Sequence, residues 1–131
     1  MHVINIVDNI QQVNIGIWNA AIASAEHLEE DYQVNSSLWY LEGMDNKVNI
    51  DFPSMAIPEA TASHAKTLIE DHCLDSETTL ISTHGCWRQP TKWGREFQKR
   101  GLKWVYVPQG MLEPWSLKQK WLKKKIYFEL Y

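Results

Sequence analysis

The chain has 131 residues, 44% of them hydrophobic and 22% charged, and a formal net charge of -3. A chain of this size supports one hydrophobic core and not two, its composition is that of a folded globule, and no apolar run approaches the ~20 residues that a membrane-spanning helix needs. Two cysteines, Cys73 and Cys86, and five scattered histidines show neither CxxC spacing nor i, i+4 pairing, which argues against a disulfide framework or a metal centre.

Met1 leads directly into Val3-Ile4-Asn5-Ile6-Val7, without the basic segment or cleavage site of a secretory signal, so a cytoplasmic protein that begins on a central strand is predicted. The turn from Asp8 to Gly16 lacks the G-x-G-x-x-G dinucleotide fingerprint. Asn14 reads as the N-cap of a helix over 14–30, whose buried stripe is Ile15, Trp18, Ile22, Ala25 and Leu28. A strand is predicted over 33–41. Residues 42–58, with Gly43, Pro53 and Pro58, read as irregular apart from a short strand over 48–50. A helix over 61–72 and a β-branched strand over 78–83 follow, the strand stopped by His84-Gly85. Next come a helix over 91–100 with Gly101 at its C′ position, and a strand over 103–107 ended by Pro108 and Gly110. Glu113-Pro114 opens a last helix, proline suiting its first turn. Strands alternating with helices predict an α/β, Rossmann-like three-layer domain with a mainly parallel sheet over residues 1–131.

Charge divides the chain more sharply than the net value suggests. Residues 1–80 carry 2 basic and 13 acidic side chains, whereas residues 81–131 carry 11 basic and 3 acidic ones. A basic half attracts diphosphate, anionic lipid or nucleic acid by long-range steering, though a solvated lysine face accounts for the same charges. Among the seven tryptophans, Trp18 and Trp104 fit the core, because a buried indole removes about 150–250 Å² from water; the pattern assigns no place to Trp39 or Trp93. On the last helix Trp115, Leu122, Ile126 and Leu130 form one apolar sector, and Leu117, Trp121 and Phe128 a second, with Lys118, Lys120, Lys123, Lys124 and Lys125 between them. One sector can face the sheet. The other requires a further domain, a second subunit or a membrane surface.

Loops that leave the carboxyl ends of strands are where α/β domains hold ligands. Two here are distinctive: His84-Gly85-Cys86-Trp87, and Pro108-Gln109-Gly110-Met111-Leu112-Glu113-Pro114-Trp115. Together with the Lys-rich helix they resemble the amino-terminal domain of the retaining group 1 glycosyltransferases, family four, whose two-domain architecture is called GT-B. The resemblance is specific over 78–131 and only topological before that. It implies that the chain is one half of a GT-B fold, the acceptor side, and that the donor-binding carboxyl-terminal domain with its paired glutamates is absent from these residues. The whole enzyme would move a sugar from a nucleotide-sugar donor to a glycan or lipid-linked acceptor, in polysaccharide or glycolipid synthesis. No cofactor, metal or nucleic-acid partner is expected, and the resemblance implies peripheral attachment, in many members, at the inner face of the membrane. Alone, these 131 residues are expected to be inactive.

Carried over residue by residue, the resemblance makes His84 the catalytic candidate, hydrogen-bonding the transferred sugar, against the plainer reading that it only caps its strand. Gly85, Trp87 and Arg88 of the first loop and Gln109, Gly110 and Met111 of the second would line the substrate region. Trp87 and Trp115 either pack on a sugar face or brace their loops. The turn after the first strand lacks the paired glycines that many relatives place there; Gly16 is the only candidate, and the amides of Asn14 or Gln12 would have to take over phosphate binding. At the position before Gly110 many relatives carry arginine, so the neutral Gln109 loses a charge-assisted contact that Arg88 is placed to replace. Asp8 and Glu113 are candidates for an acceptor-activating base, neither favoured over a turn or capping role. The alternative to an enzyme half is a stand-alone binding or assembly module that uses the basic amphipathic helix at a membrane surface.

Overall fold

The computed structural model describes residues 1–43, 48–85, 89–110 and 113–118, together with Trp121 and Lys125. Five strands, β1 (His2–Val7), β2 (Asn35–Leu41), β3 (Ser54–Ile57), β4 (Thr79–His84) and β5 (Lys103–Val107), form one sheet in the order β3-β2-β1-β4-β5. Every pairing is parallel, with Ile4 beside Ser37 on one flank and Ile81 on the other. Helices α1 (Ile15–Ile22) and α2 (Ala25–Tyr32) cover one face. Helices α3 (Ala62–Asp71) and α4 (Gln89–Gln98) cover the other, and α5 (Pro114–Lys118) follows the last strand. The domain is therefore an α/β, Rossmann-like three-layer fold, as the alternation of elements requires.

Period-two alternation assigns side chains to the two faces. Ile4, Ile6, Trp39 and Ile81 point into a core with Ala65 of α3 and with Trp93 and Phe97 of α4. Trp93 stacks on Phe97 at 5.2 Å between ring centroids, and its indole N–H donates to the carbonyl of Pro58 at 3.1 Å. Trp39 and Trp93, which the sequence pattern leaves unassigned, are thus central. Trp104 is half-buried, its Nε1–H donating to Thr83 Oγ1 at 2.8 Å. On the opposite face Val7, Ile10 and Leu38 meet Trp18 and Ala21 of α1. At α3 the entry is a side-chain cap: Thr61 Oγ1 accepts from the amide of His64 at 3.1 Å.

Two expectations need correction. The single helix over 14–30 is two helices, broken at Ala23-Ser24, where Ser24 takes φ -97° and ψ 0°. Trp18, Ala21 and Ala25 are buried on both sides of the break, so the apolar stripe runs through it, while Ile15 is exposed. The short strand over 48–50 is not formed; the third strand is Ser54–Ile57, pairing with β2. Its preceding residue Pro53 lends a carbonyl to the amide of Leu38 at 2.9 Å. Proline lacks only the donor, so an edge position accepts it. Val48 instead donates its amide to the carbonyl of Ile10 and packs in the α1 core.

Candidate functional site

The strand order reverses direction between β1 and β4: β2 and β3 extend one way from β1, β4 and β5 the other. Loops leaving the carboxyl ends of β1 and β4 therefore diverge, and the crevice between them is the position where open α/β sheets take ligands. Three segments surround it: the turn after β1, the His84-Gly85 end of β4, and Pro108-Gln109-Gly110 after β5.

The β4 and β5 ends are joined. Gly85, at φ +97°, donates its amide to the carbonyl of Val107 at 2.8 Å. His84 is buried and lies 3.0 Å from Gln109 through Nδ1 and the amide nitrogen Nε2. Its Nε2 lies 3.0 Å from Oδ1 of Asn5 in β1 and 3.1 Å from Oγ of Ser82 in its own strand. A cluster of polar groups from two strands and the turn after β5 is satisfied in this way, since a buried polar atom without a partner costs about 1–3 kcal/mol. Burial lowers the His84 imidazole to about 4, so the ring is neutral at pH 7. Both ring nitrogens are engaged within the chain. A bond from His84 to a sugar would require one of these partners to be exchanged.

Gln109 and Gly110 both lie in the left-handed region, at φ +50° and +75°. Such a conformation suits glycine and is uncommon for other residues, so the turn is a shaped one. The amide of Glu113 closes it by donating to the carbonyl of Gly110 at 3.1 Å.

The turn after β1 is built differently. Asn9 is buried, and its Oδ1 accepts from the amide of Gln11 at 3.2 Å and from Nδ2 of Asn14 at 2.7 Å. Asn14 precedes α1 but makes no side-chain cap bond; its carboxamide nitrogen donates to Asn9 instead. Gly16 lies exposed in the first turn of α1, and a Cβ built on it would meet nothing within 4 Å. The chain itself therefore imposes no need for glycine at that position. Trp87, Arg88 and Met111 lie outside the described residues. Trp115 is 66% exposed.

From the crevice a groove of about 300 Å³ runs along the α1 face of the sheet, from His84 and Val105 past Leu80 and Val3 to Val34 and Met1. Among the described residues no group of three or more His, Cys, Asp or Glu side chains could hold a metal, and no helix is long and apolar enough to cross a membrane. Asn5 and Ser82 escaped the sequence reading. The signal was present: an asparagine in the middle of an apolar central strand needs a partner. The chain matches no family model, no curated protein and no solved structure.

Proposed function

We propose that these residues form the acceptor-side domain of a retaining glycosyltransferase of the GT-B architecture, which moves a sugar from a nucleotide-sugar donor to a glycan or lipid-linked acceptor at the inner face of the membrane. The observation that carries this reading is the junction of the two motif loops: Gly85 is bonded to Val107 and His84 to Gln109, beside the reversal point of the sheet. Loops that distinctive in sequence and contiguous in space suit one wall of a ligand crevice.

The chemistry sets what that wall must do. Departure of a nucleoside diphosphate leaves positive charge on the sugar and adds negative charge to the phosphates, and preorganised dipoles must meet both. On this wall the amides of the positive-φ turns and the carboxamide of Gln109 are the fixed dipoles. His84, neutral and hydrogen-bonded on both sides, orients and does not accept a proton. The opposite wall, with the donor's diphosphate ligands, belongs to a second domain on this reading. Closure of the two would exclude water and strengthen each contact.

The test is transfer by the complete product of the reading frame, supplied with a panel of labelled uridine-, guanosine- and adenosine-diphosphate sugars. Transfer or slow hydrolysis with the anomeric configuration kept, read by proton NMR, is expected, with no turnover by residues 1–131 alone. Absence of turnover across the panel, or inversion, would overturn it.

A second reading has its own observation. Trp115 and Trp121 are 66% and 61% exposed, and Lys118 and Lys125 are exposed beside them. Indoles and lysines together suit the interface of an anionic membrane. A stand-alone membrane-surface module would co-sediment with anionic vesicles in a salt-sensitive way, lose that binding on charge reversal of Lys123, Lys124 and Lys125, and show no sugar transfer.

A further inference from the structure

Resting on the glycosyltransferase reading, we infer that Asn5 and His84 are positioning residues whose relay to Gln109 leaves the oxygen of the Gln109 carboxamide for the crevice, so that Gln109 accepts a substrate hydroxyl and disfavours an anionic group.

The steps are set by hydrogen-bond chemistry. A neutral imidazole has one N–H and one lone pair. Nε2 faces Oδ1 of Asn5 at 3.0 Å, an atom that can only accept, so the proton sits on Nε2, where Ser82 Oγ at 3.1 Å shares it. Nδ1 is then the lone pair. It needs a donor, and Nε2 of Gln109 supplies one at 3.0 Å. With its nitrogen turned inward, the carboxamide has its oxygen left over, and that oxygen has no partner among the described residues. Reversal of the carboxamide would set its oxygen against the Nδ1 lone pair, so the orientation is imposed by the buried strands and not by the loop.

The backbone agrees with this. Gln109 holds φ +50°, a region that costs a non-glycine residue about 1–3 kcal/mol, and a side-chain bond to a buried histidine offsets part of it. An outward carboxamide oxygen can pair with an O–H or N–H and is repelled by phosphate or carboxylate oxygens. The substrate group it fits is a hydroxyl, from the transferred sugar or from the acceptor. Around the groove it faces lie Val3 and Asn5 of β1, Ala20 and Ala21 of α1, Ser24, and Val105 of β5, with Met1, which carries the α-amino group, at the far end; among the described residues no charged or titratable side chain other than His84 lines that space.

Two measurements separate the relay from the reaction. In residues 1–131, nitrogen NMR of the His84 ring is expected to show the Nε2–H tautomer and a titration midpoint near 4. Asn5→Asp and Gln109→Glu each place a carboxylate against the ring and should raise that midpoint by about 1–3 pH units. An Nδ1–H tautomer, or a midpoint that neither variant moves, overturns the relay whether or not the protein transfers sugar. In the complete protein, with diphosphate sugars and their monodeoxy analogues as probes, Gln109→Met should raise KM about tenfold on the parent substrate, the worth of one hydrogen bond. It should leave KM unchanged on the single analogue lacking the contacted hydroxyl. Whether the donor or the acceptor series contains that analogue identifies the source of the hydroxyl. Asn5→Asp should also move the acid limb of kcat/KM to higher pH, which a merely structural role would not do. Equal losses on every analogue overturn the hydroxyl assignment. If the complete protein transfers no sugar, the parent reading and the hydroxyl assignment fall together, while the ring measurement still decides the relay.

Discussion

The two faces of the sheet are made from the same strands and do opposite things. On the α3 and α4 face, Ile4, Ile6, Ile81, Trp39, Trp93 and Phe97 make an aromatic and aliphatic core, at whose edge Thr83 accepts from the indole of Trp104. On the α1 face the same strands present Asn5, Ser82 and His84, a polar cluster beside an open groove. In the middle of β1 neighbouring residues part ways: Ile4 and Ile6 bind the fold together, and Asn5 between them reaches His84. The difference shows that stability and site can be separated within one strand, because the pleat sends neighbours to opposite layers.

Perturbing each face should therefore have a different signature. The largest effect belongs to the α3 and α4 face. Phe97 is fully buried, stacked on Trp93 and edge-on to Trp39, so Phe97→Ala should cost about 3–5 kcal/mol in urea unfolding. The His84 ring in the surviving folded fraction should keep its tautomer; a changed tautomer would mean that the faces are coupled.

The next effect is pH-dependent and belongs to the polar face. An unfolded histidine titrates near 6.5, and folded His84 is lowered to about 4 by burial. The unfolded chain thus binds the proton more readily, so the contribution is fully present above about pH 6.5 and is lost as pH falls toward 4. Linkage sets it at no more than about 3 kcal/mol. His2 is lowered in the same direction by burial, so the informative comparison is His84→Gln, whose stability should fall less steeply over this window. Equal slopes for both proteins would show that His84 is not held neutral. The smallest effect is Ser36→Ala. Ser36 Oγ is buried on the α1 face without a partner among the described residues, so its loss should change stability by less than about 0.5 kcal/mol.

Much of this arrangement was legible in the residues, and the misses have physical causes. β1, β4 and β5 are apolar, β-branched runs closed by turn residues, and their limits follow from that chemistry. The break at Ala23-Ser24 carries neither glycine nor proline and leaves the apolar stripe intact, so periodicity passes through it. β3 holds one β-branched residue, Ile57, between two prolines; pairing with β2 and not propensity selects it. The candidate site was legible as two loops. What the sequence could not show is that Asn5, seventy-nine positions before His84, is its partner, since a parallel register is a three-dimensional fact.

All five strands point the same way, and this has a practical consequence. The carbonyl of Thr78 receives the amide of His2, so the amino terminus and the 75–78 turn occupy the edge opposite Gly85 and Gly110. A tag, dye or surface linkage attached at Met1 would stand a full strand's length away from the Gly85 and Gly110 turns, at the far end of the groove. Immobilised by that end, the molecule would present those two turns to whatever is washed over it.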